Sequence, residues 1–344
     1  MLAGLVGWLA MAGTKVDMAM ILGLAAFLDY AIADPRSWPH PVQWMGWIIH
    51  RYTCFCLARS CTKPLGVSYR LAGVGLALGL VIGSALISGW LLGSLALIHP
   101  WLGQIGAIVL LASCFAGRSL RRAAQEVLQP LMAGELALAR EHLSRYVGRE
   151  TSHLSESEIL RAVLETVAEN ATDGVLAPLF YAGLGAMLPA IGPVPLAMAY
   201  KAASTLDSMV GYRDLPYTDL GWFSARLEDS LTWLPCRLTV LTLAILSGNP
   251  KHLWSICQRD APADPSPNSG WSECAYAAIL GVQLGGINIY GGTVKRKPDL
   301  GDPIQPITPA IVDRALQLTR FCFLIWLGLL LVYLMAVPIV SSRS

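Results

Sequence analysis

Charge is what this chain has least of. Of its 344 residues, 14% are Asp, Glu, Lys or Arg, against roughly 25% in soluble domains. Residues 71–117 contain none of the four. That length excludes an ordinary soluble core helix and accommodates two crossings of about 20 residues each. A basic block is also missing, and the net charge is +2, so nothing in the chain suggests nucleic acid as a partner. The eight cysteines form no CxxC pair. The closest, Cys54-x-Cys56, is poorly spaced for a tetrahedral metal site, and several others lie in apolar runs where a thiol acts as a small hydrophobe. No basic region precedes the first apolar run, so no cleaved signal peptide is expected.

What is present is apolar: 54% of residues are hydrophobic and mean hydropathy is +0.52. The pattern predicts an all-α polytopic membrane protein with four to six transmembrane helices, forming one integral membrane domain over 1–344. Residues 1–12 and 18–33 supply one or two short crossings. Residues 34–46, with Pro35, Pro39 and Pro41, read as a rigid turn because proline fixes φ and lacks an N–H. Residues 51–70 read as a mildly basic linker. Gly75, Gly79 and Gly83 in the run 71–98 form a small-residue stripe suited to close helix packing in lipid. Further crossings are expected at 101–117, 175–200 (broken by prolines), 231–247 and 321–340.

Two stretches differ. Residues 118–170 form an amphipathic helical segment: 118–168 carries seven Arg and seven Glu among regularly spaced Leu, Val and Ala. Within it, Ser155 and Glu158 fit a capping box. Residues 249–309 are polar and rich in Gly and Pro, and read as a long loop segment.

Between residues 165 and 229, ionisable groups cluster beside apolar runs, where desolvation is costly unless a polar ligand is held. Glu165, Glu169 and Asp173 fall at i, i+4 and i+8, one face of a helix. Three carboxylates so placed either stay solvated or gather around a cation, with Asn170 and Thr172 as neutral neighbours. Lys201, Thr205 and Ser208 share another face, which suits a phosphate oxygen or a lysine snorkelling at a membrane boundary. Arg226 and Asp229 are one turn apart. Arg237 lies inside an apolar run and requires a carboxylate, such as Asp229, or an anionic ligand. Five glycines between 281 and 292 precede Lys295, Arg296 and Lys297, a weak anion-binding pattern for which a basic surface loop is the alternative. His40, between two prolines, is either a proton carrier or simply hydrogen-bonded to backbone.

Taken in order, six stretches resemble the adenosylcobinamide-phosphate synthase family of cobalamin biosynthesis: LDYAIADPRSWPHPVQWMG (28–46), ENATDGVLAPLFY (169–181), YKAASTLDSMVGY (200–212), SARLEDSLTWLPCRL (224–238), SPNSGW (266–271) and LGGINIYGG…KPDLGD (284–302). The resemblance spans nearly the whole chain. It departs from the family before SPNSGW, where Ala263-Asp264-Pro265 stands in place of a basic residue, often His.

The resemblance implies amide formation between adenosylcobyric acid and aminopropanol or its phosphate, with the corrinoid as substrate, ATP as co-substrate and Mg²⁺ as cofactor. It implies that Glu165, Glu169 and Asp173 hold metal, with Asn170 beside the phosphoryl donor. Lys201 and Arg226 would neutralise phosphate, and Asp207 or Asp229 would accept a proton. The 284–302 loop, with Gly291 and Lys297, would receive the aminopropanol phosphate, Asn268 would be a further binding residue, and Asp34 and His40 would close the site from the N-terminal side. The expected location is the cell (inner) membrane, with the site on the cytoplasmic side. A homo-oligomer and a complex with other cobalamin-assembly membrane enzymes are both open. The rival readings are a non-catalytic signalling member of the same superfamily and a corrinoid transporter.

Overall fold

The computed structural model describes residues 15–32, 40–58, 66–188, 190–212 and 214–336. The expected first crossing at 1–12, and Asp34, lie outside them. Helices dominate: α1 (Lys15–Ile32), α2 (Pro41–Leu57), α3 (Gly66–Ile98), α4 (Pro100–Ala112), α5 (Gly117–Met132), α6 (Leu136–Leu143) and α7 (Glu156–Asn170). A π-helix, Ala171–Leu176, follows, then α8 (Ala177–Met187), α9 (Pro193–Val210), α10 (Trp222–Leu246), α11 (Pro250–Asp260), α12 (Ser269–Leu280) and α13 (Pro309–Ala336). One antiparallel hairpin, β1 (Leu284–Tyr290) with β2 (Thr293–Leu300), is the sheet among the described residues.

Four helical stretches are long and apolar enough to cross a bilayer: Gly66–Ile98, Pro100–Met132, Trp222–Leu246 and Pro309–Ala336. The second is interrupted by a turn at 113–116. Helices suit lipid because they satisfy every backbone polar group internally. The architecture is therefore that of an all-α polytopic membrane protein, as the hydropathy pattern predicts.

Two compact units emerge from the chain contacts. The first comprises Met1–Ala116, Ala177–Leu231 and Ile325–Ser344; the second comprises Gly117–Leu176 and Thr232–Leu324. In the first, Leu22, Ile49, Leu92, Leu111, Leu179 and Tyr200 are fully buried. Tyr181 stacks on Tyr200 at 4.9 Å. The 175–200 run is broken as expected, though not by Pro178, which lies in the first turn of α8: α8 ends at Met187, and α9 starts with Pro193 in its first turn.

His40 caps α2, its Nδ1 accepting from Val42 N–H at 3.2 Å, with Pro41 in the first turn. Proline is well placed there because its missing N–H has no helical partner anyway. This corrects two expectations: residues 41–46 are helix rather than turn, and 51–57 are helix rather than linker. His99-Pro100 and Asn249-Pro250 start α4 and α11 in the same way.

The glycine stripe also departs from expectation. A Cβ at Gly75, Gly79 or Gly83 would meet nothing within 4 Å. These glycines line an apolar groove of about 580 Å³ with Trp44, Ile48 and Met198. The glycine that packs closely is Gly73, where a Cβ would sit 2.0 Å from the Leu220 carbonyl oxygen.

The second unit contains both stretches that the sequence sets apart. The 118–170 segment folds as α5, α6 and α7. The capping box forms: Glu158 N–H donates to Ser155 Oγ at 3.4 Å, and Ser155 N–H donates to Glu158 Oε2 at 2.7 Å. The 249–309 segment is no loop, because its polar residues fold as α11, α12 and the hairpin. Within it Tyr276 is fully buried, its hydroxyl 2.7 Å from Thr319 Oγ1.

Candidate functional site

The second unit carries a cluster of ionisable side chains that are mostly withdrawn from water. Glu165 on α7 and Glu273 on α12 are 2% and 0% exposed. Their counter-ions come from elsewhere in the unit. Arg149, in the loop before α7, pairs with Glu165 Oε2 and donates to Asn288 Oδ1 at 2.9 Å. Lys297 on β2 reaches both oxygens of Glu273, at 2.6 and 2.7 Å, with Asp264 Oδ2 3.9 Å away. Glu165 Oε1 accepts from Gly285 N–H at 2.9 Å. Arg161 donates to the carbonyls of Gly285 and Ile287. Glu165, Arg149 and Arg161 thus tie the hairpin to α7.

Glycine is required at that tie. Gly286 has φ +93°, and a Cβ there would meet Arg161 Nη1 at 2.3 Å. Left-handed backbone and close approach both favour glycine.

Four carboxylates, Glu165, Glu169, Asp264 and Glu273, face the two cations in contact with them, Arg149 and Lys297. Burial pushes the Glu273 carboxyl well above its usual range, and Glu165 and Glu169 add to the push against the pull of Lys297. Burial alone would lower Lys297, but Glu273, Glu169 and Glu165 outweigh it and raise the ammonium. Glu169 is raised by the protein crowded around it and by Asp264 and Glu165, opposed by Lys297 and Arg149. Glu169 differs from the others in keeping an exposed face. It is the carboxylate of this cluster that an incoming group can reach.

The π-helix alters the expected alignment. Its wider turn shifts the register after Asn170, so Glu165, Glu169 and Asp173 do not continue as one α-helical face. Glu165 is moreover committed to Arg149 and Gly285. Among the described residues no group of three or more His, Cys, Asp or Glu side chains is arranged to hold a metal ion. The residues present do not fit a resident metal held by that trio. Asn170 turns its amide back to the Thr166 carbonyl.

Other expected site residues are placed as follows. Lys297 is spent on Glu273 rather than presented to an anion. Gly291 and Gly292, at φ +53° and +74°, form the hairpin turn, the backbone for which paired glycines are suited. Asn268 precedes α12 and accepts from Arg237 at 3.2 Å. In the first unit lie His40, Lys201 and Asp207 on or beside α2 and α9, and Arg226 and Asp229 on α10. The hydroxyls of Thr205 and Ser208 donate to the carbonyls of Lys201 and Thr205, so their protons are spent on their own helix. Among the described residues Arg237 has no carboxylate partner. Its Nη1 donates to the Pro267 carbonyl at 2.8 Å, and its guanidinium lies 5.1 and 4.6 Å from the Trp233 and Trp271 ring centres.

Comparison with known proteins adds the family. The model of the CobD/CbiB protein family matches residues 22–319. The chain belongs to the CobD/CbiB family. It is similar to the cobalamin biosynthesis protein CobD of Synechocystis sp., at 56% identity over 92% of each chain. It is 43% identical to the cobalamin biosynthesis protein CbiB of Salmonella choleraesuis, over 86% of this chain and 91% of that one. No solved structure matches. For this CobD/CbiB member, sequence reasoning missed Arg149, Arg161, Asp264 and Glu273. Glu273 had a legible signal, since it is the sole charge in the otherwise uncharged α12.

Proposed function

We propose that this chain is an adenosylcobinamide-phosphate synthase, joining a carboxylate of adenosylcobyric acid to the amine of aminopropanol or its phosphate. ATP drives the reaction. The corrin carboxylate takes the terminal phosphoryl group and ADP leaves. The neutral amine nitrogen then attacks the acyl carbon, its C–N bond forms, the C–O bond to phosphate breaks, and hydrogen phosphate departs with the second amine proton.

The observation that carries this reading is the open Glu169 in an otherwise covered cluster with surplus carboxylate. Such a group attracts an ammonium and, being raised, accepts its first proton and leaves the amine nucleophilic. Mg²⁺ would belong to the nucleotide substrate, bound through its phosphates, a mode that asks few ligands of the protein. Lys201 and Arg226 as phosphate-neutralising groups, and Asp173, Asp207 and Asp229 as further site residues, rest on the sequence resemblance. ATP and the corrinoid are cytoplasmic, which supports a site on that side of the cell (inner) membrane.

The test is purified protein in detergent with adenosylcobyric acid, ATP, Mg²⁺ and aminopropanol phosphate, with mass spectrometry of the corrinoid. A new amide that needs ATP is the expected result. Corrinoid binding with no amide would favour a binding or signalling role instead.

A further inference from the structure

Arg237 sits in the apolar helix α10, within a stretch long enough to cross a bilayer, where an uncompensated charge is costly. Two indoles and two carbonyl oxygens hold it. Trp233, one turn earlier on the same helix, and Trp271 on α12 lie against the guanidinium. Both hydrogen bonds that it donates to oxygen leave from Nη1, to Pro267 and to Asn268 Oδ1. Asn268 itself is 4% exposed, so the anchor is fixed. The Nε–Nη2 edge carries neither of these bonds, and that edge matches two oxygens of a phosphate or carboxylate at once.

The position of the slot narrows the ligand. Asp264 of the carboxylate cluster, 3.9 Å from Lys297, stands three residues before Pro267, whose carbonyl holds Arg237. Three residues reach at most about 11 Å. The guanidinium and the carboxylate-rich cluster therefore share one short segment. A ligand with phosphate at one end and ammonium at the other satisfies both. Lys297, already held by Glu273, is not available for the phosphate.

We propose that the Nε–Nη2 edge of Arg237 seats the phosphate of an amino-alcohol phosphate whose ammonium points toward Glu169. The choice of ligand rests on the amide-forming reading; the seat itself rests on the geometry. The same chemistry has two sources, free aminopropanol phosphate and a phosphatidylethanolamine headgroup.

The experiment uses the full chain in detergent. Calorimetric titration compares aminopropanol phosphate with unphosphorylated aminopropanol for wild type, Arg237→Gln and Arg237→Lys. Native mass spectrometry records copurifying phosphatidylethanolamine. The expected result is that Arg237→Gln weakens aminopropanol phosphate on the order of tenfold or more and leaves aminopropanol unchanged. Arg237→Lys, which keeps the charge but loses the planar edge, falls between and carries the test if the Gln variant melts early. Retention of the lipid by wild type and its loss from the variants supports the seat with a headgroup as occupant. Wild type that binds neither, or variants that bind both as wild type does, overturn it. Binding needs no turnover, so the two readings fail separately. Phosphate held through Arg237 without amide formation sinks the synthase reading alone, whereas amide formation with unchanged binding in both variants sinks the seat alone.

Discussion

At Lys297 one side chain decides the fate of another. Glu273 is wholly buried, and Lys297 meets both of its oxygens. Removing one partner of a buried pair leaves the other charged and unsolvated, at a cost of about 3–5 kcal/mol. Lys297→Met should therefore lower the melting temperature sharply, and adding Glu273→Gln should recover part of the loss. A melting temperature equal to wild type would show the pair to be dispensable. Glu169 gives a test by pH. Its folded value is raised, so its contribution to stability is present below about pH 4.3, the ordinary glutamate value, and is lost as pH rises through the folded value. Glu169→Gln removes that loss, so its advantage over wild type should grow from pH 5 to pH 8. Equal differences in melting temperature at the two pH values would contradict the raised carboxyl. Glu165 and Glu169 were legible in the sequence because acids recur there at helical spacing. Their partners were not, because Arg149 and Lys297 arrive from distant loops and strands that spacing does not connect. Arg237 was legible as a problem, an arginine in an apolar run, but its solution by two indoles and two carbonyls depends on tertiary approach.

Among the elements, the two kinds of glycine on α3 separate packing from open surface. A Cβ at position 73 collides with the Leu220 backbone, whereas one at position 79 has no neighbour within 4 Å. Gly73→Ala should be destabilising by about 1–3 kcal/mol, while Gly79→Ala should be neutral or stabilising by up to about 1 kcal/mol through helix propensity. Thermal melting of both variants in one detergent checks the contrast. Ser155→Ala should cost about 1 kcal/mol by removing the cap of α7, again read as a melting shift, with amide formation at low temperature retained. The capping box was legible because its signature is local. The hairpin was not: the glycines of 281–292 and the basic residues after them read as an anion-binding pattern or a surface loop. The π-helix was equally hidden, since nothing in Ala-Thr-Asp-Gly-Val-Leu announces an extra residue in the turn.

For the whole molecule, the hydropathy pattern gave the fold class and four of the crossings, because long uncharged runs have few alternatives. The chain should accordingly remain in the membrane fraction after alkaline carbonate washing and leave it only with detergent. Release by carbonate alone would contradict the spanning helices. The division into two units was not legible, since each is assembled from separated stretches of sequence. That discontinuity gives the Lys297–Glu273 pair a meaning during synthesis. Glu165 leaves the ribosome after its counter-ion Arg149, whereas Glu273 leaves 24 residues ahead of Lys297. Until residue 297 emerges, the nascent protein holds Glu273 without the ammonium that meets it in the finished fold. A chain stalled short of that lysine is thereby marked as unfinished, and quality-control proteases should find it first.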